Sequence, residues 1–321
     1  MPKEITHWLV SIKTAEALRG TQLGDAALRN QNVLKLGAIF PDILFYLPDN
    51  PKNSRYLDVA HALHGNNGED TYEQIRQVIE VMKRSLYRQE LLSFLLGVIT
   101  HIQTDIVFHP MIYYLTGNYH DAETSKRSKA IEQHRRFECL TDIYYCGGSR
   151  NVKGYSVKSI LKNLEIPLSQ ILELSRELNS QKLSNMNAAM TKALKNLEIL
   201  QGLYKNRAIA GIIYTIKPYL SGPVKEIAAL FYSPQLDSFI PRVSGTLYYK
   251  NPITGEIKNA GLAGLLEEAV EKSSILAGKI EEAIYSNNLE SFSERGHSLS
   301  YGLIVNDTDQ PICFAEKPFF D

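Results

Sequence analysis

Three residues in one apolar stretch carry metal-ligand side chains at helical spacing: His101, Asp105 and His109, in the pattern H-x3-D-x3-H. Positions i, i+4 and i+8 share one stripe of an α-helix. The flanking residues, Leu91 to Ile99 and Ile106 to Phe108, are mostly apolar, which turns the stripe toward a core. Burying one ionisable group without a partner is costly, and burying three together is worse. A divalent cation that coordinates them removes that cost. The competing reading is a polar helix face turned to solvent.

His134 and Glu138 repeat the i, i+4 arrangement within KAIEQHRRFE, a charged segment that reads equally well as a surface pair. Two helices that each offer adjacent nitrogen and oxygen ligands are how bundles build multi-metal sites. Asp42 is a lone acid in GAIFPDILF, where a cap or turn role competes with ligation. His61 and His64 lie in HALHGNNGED, and either is a candidate ligand before the glycine turn. His7 adjoins Trp8, the single tryptophan, so a capping or packing role competes there too. His120, in GNYHD, reads as a loop residue and ranks lowest. Seven of the eight histidines fall within the first 134 residues, which gathers the candidates into one part of the chain.

The elements that must position these residues read as helices. His7 to Arg19 is amphipathic and stops at Gly20. Gln31 to Leu47 is apolar but contains Pro41, so a break is expected there. Glu69 to Ser85 opens with acidic residues and a threonine, a helix-start signature. Glu90 to Phe108 is apolar on most faces and predicts a buried helix. Ala122 to Tyr145 predicts another.

Cys146 to Gly154, CGGSRNVKG, interrupts the pattern. It predicts a helical metal-binding domain over residues 1–150 and a helical extension of unassigned role over residues 151–321. Helical patterns recur over Val157 to Asn163, Pro167 to Leu178, Asn185 to Tyr204, Ala208 to Tyr219, Pro223 to Tyr232 and Leu262 to Tyr285. Gly245 to Lys258 predicts a β-hairpin turning at Asn251-Pro252-Ile253-Thr254-Gly255, a candidate lid over the metal site. The tail from Tyr301 has no period. The expected fold class is all-α: a multi-helix bundle with a helical extension and one small hairpin.

Lysine plus arginine (35) equals aspartate plus glutamate (35), so there is no broad field to draw nucleic acid or an anionic membrane. No nucleic-acid partner is expected. Residues 1–20 are broken by charges and lack a small-residue cleavage site, unlike a secretory signal. The most apolar run, Leu91 to Thr100, is shorter than the ~20 residues of a membrane span, so no transmembrane segment is expected. Three sparse cysteines, Cys139, Cys146 and Cys313, fit a reducing compartment, and the expected location is cytoplasmic.

Taken in order, the pieces form a set: T-H-W at residues 6–8, G-A-x-F-P-D ending at Asp42, a histidine before a glycine turn, H-x3-D-x3-H from His101, and H-x3-E from His134. In order and residue type this set is similar to the zinc-dependent phospholipase C family. That family includes bacterial phosphatidylcholine-cleaving enzymes and the catalytic part of glycosylphosphatidylinositol-specific phospholipase D. Single-strand-specific zinc nucleases look like more distant relatives. The resemblance covers roughly residues 1–145 and implies an all-helical fold with a three-zinc cluster; two or three zinc ions, or other divalent transition metals, are expected in this chain. It implies that Asp42, His64, His101 and Asp105 hold a first zinc and that His109, His134 and Glu138 hold a second. His7 would contribute to a third, with Asp105 bridging two metals. His64 is preferred to His61 because it immediately precedes the glycine turn.

The chain departs from the family pattern twice. The secreted enzymes begin, after processing, with a tryptophan whose amine and carbonyl bind the third zinc, whereas Trp8 is internal. They also place a longer gap between the shared aspartate and the next histidine than that from Asp105 to His109, which bears on the distance between metals.

The resemblance implies hydrolysis of phosphate esters by metal-activated water, with Asp42 orienting or deprotonating that water. The implied partner is a phosphate-ester substrate, phospholipid headgroups among the candidates. A soluble phosphodiester or phosphomonoester is the alternative, since a cytoplasmic phospholipase C would endanger its own membrane. A nuclease would need stacking aromatics and basic residues near the metals, for which Tyr113, Tyr114, Tyr119, Arg135 and Arg136 are available. A non-catalytic alternative is a metal-stabilised helical scaffold or binding protein, because closed metal sites are structural and open ones catalytic.

Overall fold

The computed structural model describes residues 3–177, 183–286, 288–306 and 309–321. The elements follow the chain as α1 (Glu4–Ala17), α2 (Gln22–Arg29), α3 (Gln31–Gly37), α4 (Ser54–Leu63), α5 (Glu73–Arg84), α6 (Arg88–Thr116) and α7 (Thr124–Tyr145). They continue as α8 (Val157–Lys162), α9 (Leu168–Glu177), α10 (Met186–Tyr204), α11 (Arg207–Ile216), α12 (Gly222–Ala228), α13 (Ile240–Val243) and α14 (Leu262–Tyr285). The strands β1 (Leu247–Lys250) and β2 (Ile257–Ala260) form one antiparallel hairpin with Leu247 opposite Ala260. The fold is all-α, as its patterning predicts. The C-terminal end of the helix expected over Pro167 to Leu178 lies outside the described residues.

Helix α6 is the centre of the bundle. Every residue from Leu91 to Tyr113 on it is buried. Helices α1, α2, α3, α5, α7 and α14 surround it. A helix that is apolar on all sides needs cover on all sides. By length and composition α6 could cross a membrane, but its most apolar window lies wholly inside the protein.

The helix runs past Phe108, where the sequence pattern stops, to Thr116, and it passes through Pro110. Proline has no N–H to donate to the carbonyl four residues earlier, here that of Ile106. Gly302, at φ +67°, packs against that carbonyl so closely that an added Cβ would lie 2.7 Å from the oxygen. A distant segment thus covers the gap that the proline leaves.

Two glycines let α3 and α6 touch backbone to backbone. A Cβ added to Gly97 would sit 2.3 Å from the Leu34 carbonyl oxygen, and one added to Gly37 would sit 2.3 Å from that of Phe94. The 3₁₀ turn that follows α3, Phe40–Tyr46, carries Pro41 and marks the expected break. The α5 helix starts at Glu73, later than the sequence suggests. Gly65 and Gly68 hold positive φ in the preceding turn, and the Asp70 carboxylate accepts from Tyr72 N instead of opening a helix.

The first N–H groups of a helix lack intrahelical partners and carry partial positive charge, so carboxylates favour these ends. Three carboxylates remote in sequence serve the first three helices. Asp142 accepts from Ile5 N and Thr6 N of α1. Glu281 accepts from Gln22 N and Leu23 N of α2. Glu165 accepts from Asn32 N and Val33 N of α3. The segment 146–154 forms turns and a short 3₁₀ element between α7 and α8. The apolar core includes residues from Ile5 to Phe319.

Candidate metal centre

Five elements bring eight candidate ligands to one place. The α6 stripe supplies His101, Asp105 and His109, all buried. The α1 helix supplies His7, whose ring stacks on that of His101 with centroids 4.3 Å apart. The position of α1 is fixed by Asp142 at its start and by Trp8, whose indole N–H donates to Lys35 O at 2.9 Å. The 3₁₀ turn supplies Asp42, and the C-terminal end of α4 supplies His64. Helix α7 supplies His134 and Glu138, one turn apart, with 3.0 Å between His134 Nε2 and Glu138 Oε1.

These side chains form three groups in which ligand atoms lie within 4.8 Å of one another: Asp42–His64–His101, His7–His101–Asp105, and His109–His134–Glu138. Asp105 stands between them. Its Oδ2 is 3.4 Å from His101 Nε2 and 3.9 Å from His64 Nε2. Its Oδ1 is 3.4 Å from His7 Nε2 and 4.0 Å from His109 Nε2. Asp42 Oδ1 is 3.0 Å from His64 Nε2 and 3.6 Å from His101 Nε2.

Three rings are oriented from behind by main-chain carbonyls. His64 Nδ1 lies 2.7 Å from Ala60 O, His101 Nδ1 2.9 Å from Ala38 O, and His109 Nδ1 2.6 Å from Leu299 O. A carbonyl can only accept, so each Nδ1 carries a proton; at His101 and His109 Nε2 then turns a lone pair toward the centre, whereas His64 Nε2 makes a hydrogen-bond contact with Asp42 Oδ1 at 3.0 Å. The close packing of α3 on α6 is what delivers the Ala38 carbonyl.

Burial pushes the imidazoles of His101, His109 and His134 well below the ordinary histidine pKa, which keeps them neutral. Burial, reinforced by the nearby Asp42 carboxylate, pushes Asp105 well above the ordinary carboxylate range. Among the described residues, His101 Nε2, His109 Nε2 and both Asp105 oxygens are buried and form no hydrogen bond. Buried polar atoms are nearly always satisfied, and a convergent set that is not calls for a cation. Neutral imidazole nitrogens with carboxylate oxygens are the donor set of zinc. The residues therefore fit the metal.

The other candidates lie at the edge of the centre or outside it. His61 is exposed, and its Nδ1 is 2.8 Å from Asn66 Nδ2. His120 is exposed, with its ring stacked at 6.5 Å on Tyr113. Tyr113 and Tyr119 meet the edge of His134 at 4.8 and 5.2 Å, whereas Tyr114 packs on Tyr248 of the hairpin. Arg136 lies over the Phe320 ring, and Arg135 faces Glu226 at 3.9 Å. The contribution of Leu299 has no sequence signal, because a main-chain carbonyl belongs to every residue type.

The family model for zinc dependent phospholipase C matches residues 6–189. The match runs beyond Tyr145, into α8, α9 and the start of α10. No curated protein and no solved structure matches the chain. The matched span holds all eight converging ligand-type residues and covers more than half of the chain, which belongs to the zinc-dependent phospholipase C family.

Proposed function

We propose that this chain hydrolyses phosphodiesters of the phospholipase C kind at a centre of two or three zinc ions. Asp42, His64, His101 and Asp105 would hold one ion, and His109, His134 and Glu138 a second. His7, beside Asp105 and His101, would serve a third. The observation that carries the reading is Asp105, a buried carboxylate without hydrogen bonds that faces four histidine Nε2 atoms within 4.0 Å.

When bound, zinc supplies Lewis acidity, lowering the pKa of water from about 15.7 to near 7 and offsetting phosphate charge. The chain supplies the rest. Carbonyls behind His64, His101 and His109 orient these rings before any ligand arrives, which limits reorganisation during reaction. The Asp42 side chain is 12% exposed, whereas that of Asp105 is fully buried, so Asp42 is the carboxylate that water reaches. We assign it as the general base that takes the proton from the attacking water. Apolar packing around α6 keeps bulk water from the inner face of the centre.

Elemental analysis of protein purified without added metal tests the reading, followed by assays on a chromogenic phosphodiester and on phosphatidylcholine vesicles. Two or three equivalents of zinc with chelator-sensitive cleavage are expected. Cleavage of the soluble ester alone would place the substrate in solution. Zinc without turnover on any phosphate ester would make the centre a structural staple. No metal, and no thermal stabilisation on zinc addition, would overturn the reading.

A further inference from the structure

The residues behind His109 do not come from the family-matched span. Gly296 to Leu303 folds into a closed loop, with Ser298 N donating to Leu303 O and Gly302 N donating to Ser298 O. Leu299, at its apex, is fully buried. Its carbonyl accepts from His109 Nδ1 at 2.6 Å, and its N–H donates to the His64 carbonyl at 2.9 Å. One residue thus touches two candidate ligands that stand on opposite sides of Asp105.

The loop is held from several directions. Gly296 N donates to Asp70 Oδ1 at 2.6 Å, and Thr71 Oγ1 donates to His297 O at 2.8 Å. Asn251 Nδ2, in the hairpin turn, donates to Tyr301 O at 2.9 Å. Gly302 fits against the Ile106 carbonyl of α6, where any Cβ would collide. The hairpin that the sequence suggests as a lid therefore braces this loop through Asn251.

We infer that residues 296–303, more than 100 residues beyond the family-matched span, are a positioning element of the metal centre. In it the Leu299 carbonyl holds His109 as its Nδ1–H tautomer and so presents Nε2 for coordination. This rests on the zinc reading above for what Nε2 coordinates, but not for the tautomer. Without the carbonyl, the ring would be free to turn and to carry its proton on Nε2, which cannot then ligate. The partner on the far ring nitrogen of a ligating histidine affects metal affinity about 10- to 100-fold.

The test uses the full chain and Zn²⁺ alone. Long-range ¹H–¹⁵N spectra of the zinc-free protein report each histidine tautomer, with His109 assigned by its absence in His109→Gln. Zinc affinities come from competition with a chromophoric chelator. Two variants disturb the loop: Gly302→Val, which drives a side chain into Ile106 O, and Asn251→Asp. The latter keeps the Oδ1 that the hairpin turn uses but sets an acceptor against Tyr301 O. Wild type is expected to show His109 protonated on Nδ1. The variants are expected to lose that signature and to bind the weakest zinc equivalent about 10- to 100-fold less tightly.

An Nε2–H tautomer in wild type overturns the inference, as do wild-type tautomer and wild-type zinc affinities in the variants. Should Gly302→Val not fold, Asn251→Asp decides by the same readouts. Wild type that binds no zinc would sink the proposed function, while the tautomer measurement would still decide the role of Leu299.

Discussion

Replacing Asp105 with leucine should reverse the order of stability between the zinc-free and zinc-loaded protein. The two side chains share one branched skeleton of four heavy atoms, so the change replaces two buried oxygens with bulkier methyl groups and opens no cavity. Both oxygens lack hydrogen bonds, and an unsatisfied buried polar group costs about 1–3 kcal/mol. Zinc-free Asp105→Leu should therefore be more stable than zinc-free wild type by about that amount. With zinc the balance turns. One ion at a thousandfold excess over its dissociation constant stabilises by about 4 kcal/mol. Asp105 borders two of the three ligand groups, so the variant loses at least one such contribution and ends less stable than wild type. Urea unfolding at one temperature, with chelator and with excess zinc, reads both halves. A zinc-free variant less stable than wild type by about 2 kcal/mol or more would refute the reasoning, because the carboxylate would then be an ordinary satisfied group. So would a variant that keeps the full zinc content.

Two further outcomes are expected. Gly97→Ala puts a Cβ 2.3 Å from the Leu34 carbonyl, which is backbone and cannot swing aside, so unfolding measurements should show a loss of about 2 kcal/mol or more. A loss within 0.5 kcal/mol, roughly the range of surface substitutions, would mean that α3 and α6 are not so closely joined. Asp142 is pushed up from 3.8 to about 6, first by burial and also by Glu4, against the opposing hydrogen bonds from Thr6 and Tyr232 and the charge of Lys3. A carboxyl whose folded pKa lies above its unfolded one stabilises the fold below the unfolded value and loses that contribution as pH rises through the folded value. The melting temperature of wild type should thus fall from pH 4 to pH 7 relative to Asp142→Asn, a window in which Glu4, Lys3 and Cys139 remain as neighbours. Parallel profiles for the two proteins would contradict this.

The sequence carries the periodic part of this architecture and little of the rest. The 3.6-residue period puts His101, Asp105 and His109 on one face of α6, and His134 with Glu138 on one face of α7. Their distances to His7 and Asp42 are not in any spacing, because they depend on how α1 and the turn after α3 pack on α6. The Gly37 and Gly97 contacts that set this packing look in sequence like any helix-weakening glycine. The apolar pattern stops at Phe108, yet the helix runs through Pro110 to Thr116, with Gly302 packed against the Ile106 carbonyl that the proline leaves without its N–H partner. Glu69 and Asp70 read as a helix start, yet Asp70 serves the turn and Gly296 instead. The tail from Tyr301 has no period because its role is met by main-chain atoms, which leave no trace in residue type.

The bond from His109 to Leu299 spans 190 positions of the chain. At a synthesis rate of roughly 5–20 residues per second, about 10 to 40 seconds separate the appearance of the two partners. For most of that interval α6, the long apolar helix at the centre of the bundle, has already been made, while α14, which covers one of its sides, has not. Local helix formation is complete within microseconds, so the slow variable is the arrival of the covering residues. The order of synthesis thus leaves the growing chain with a finished but greasy helix and an open histidine cluster. This is the stage at which aggregation, or capture of the wrong metal, competes most directly with folding.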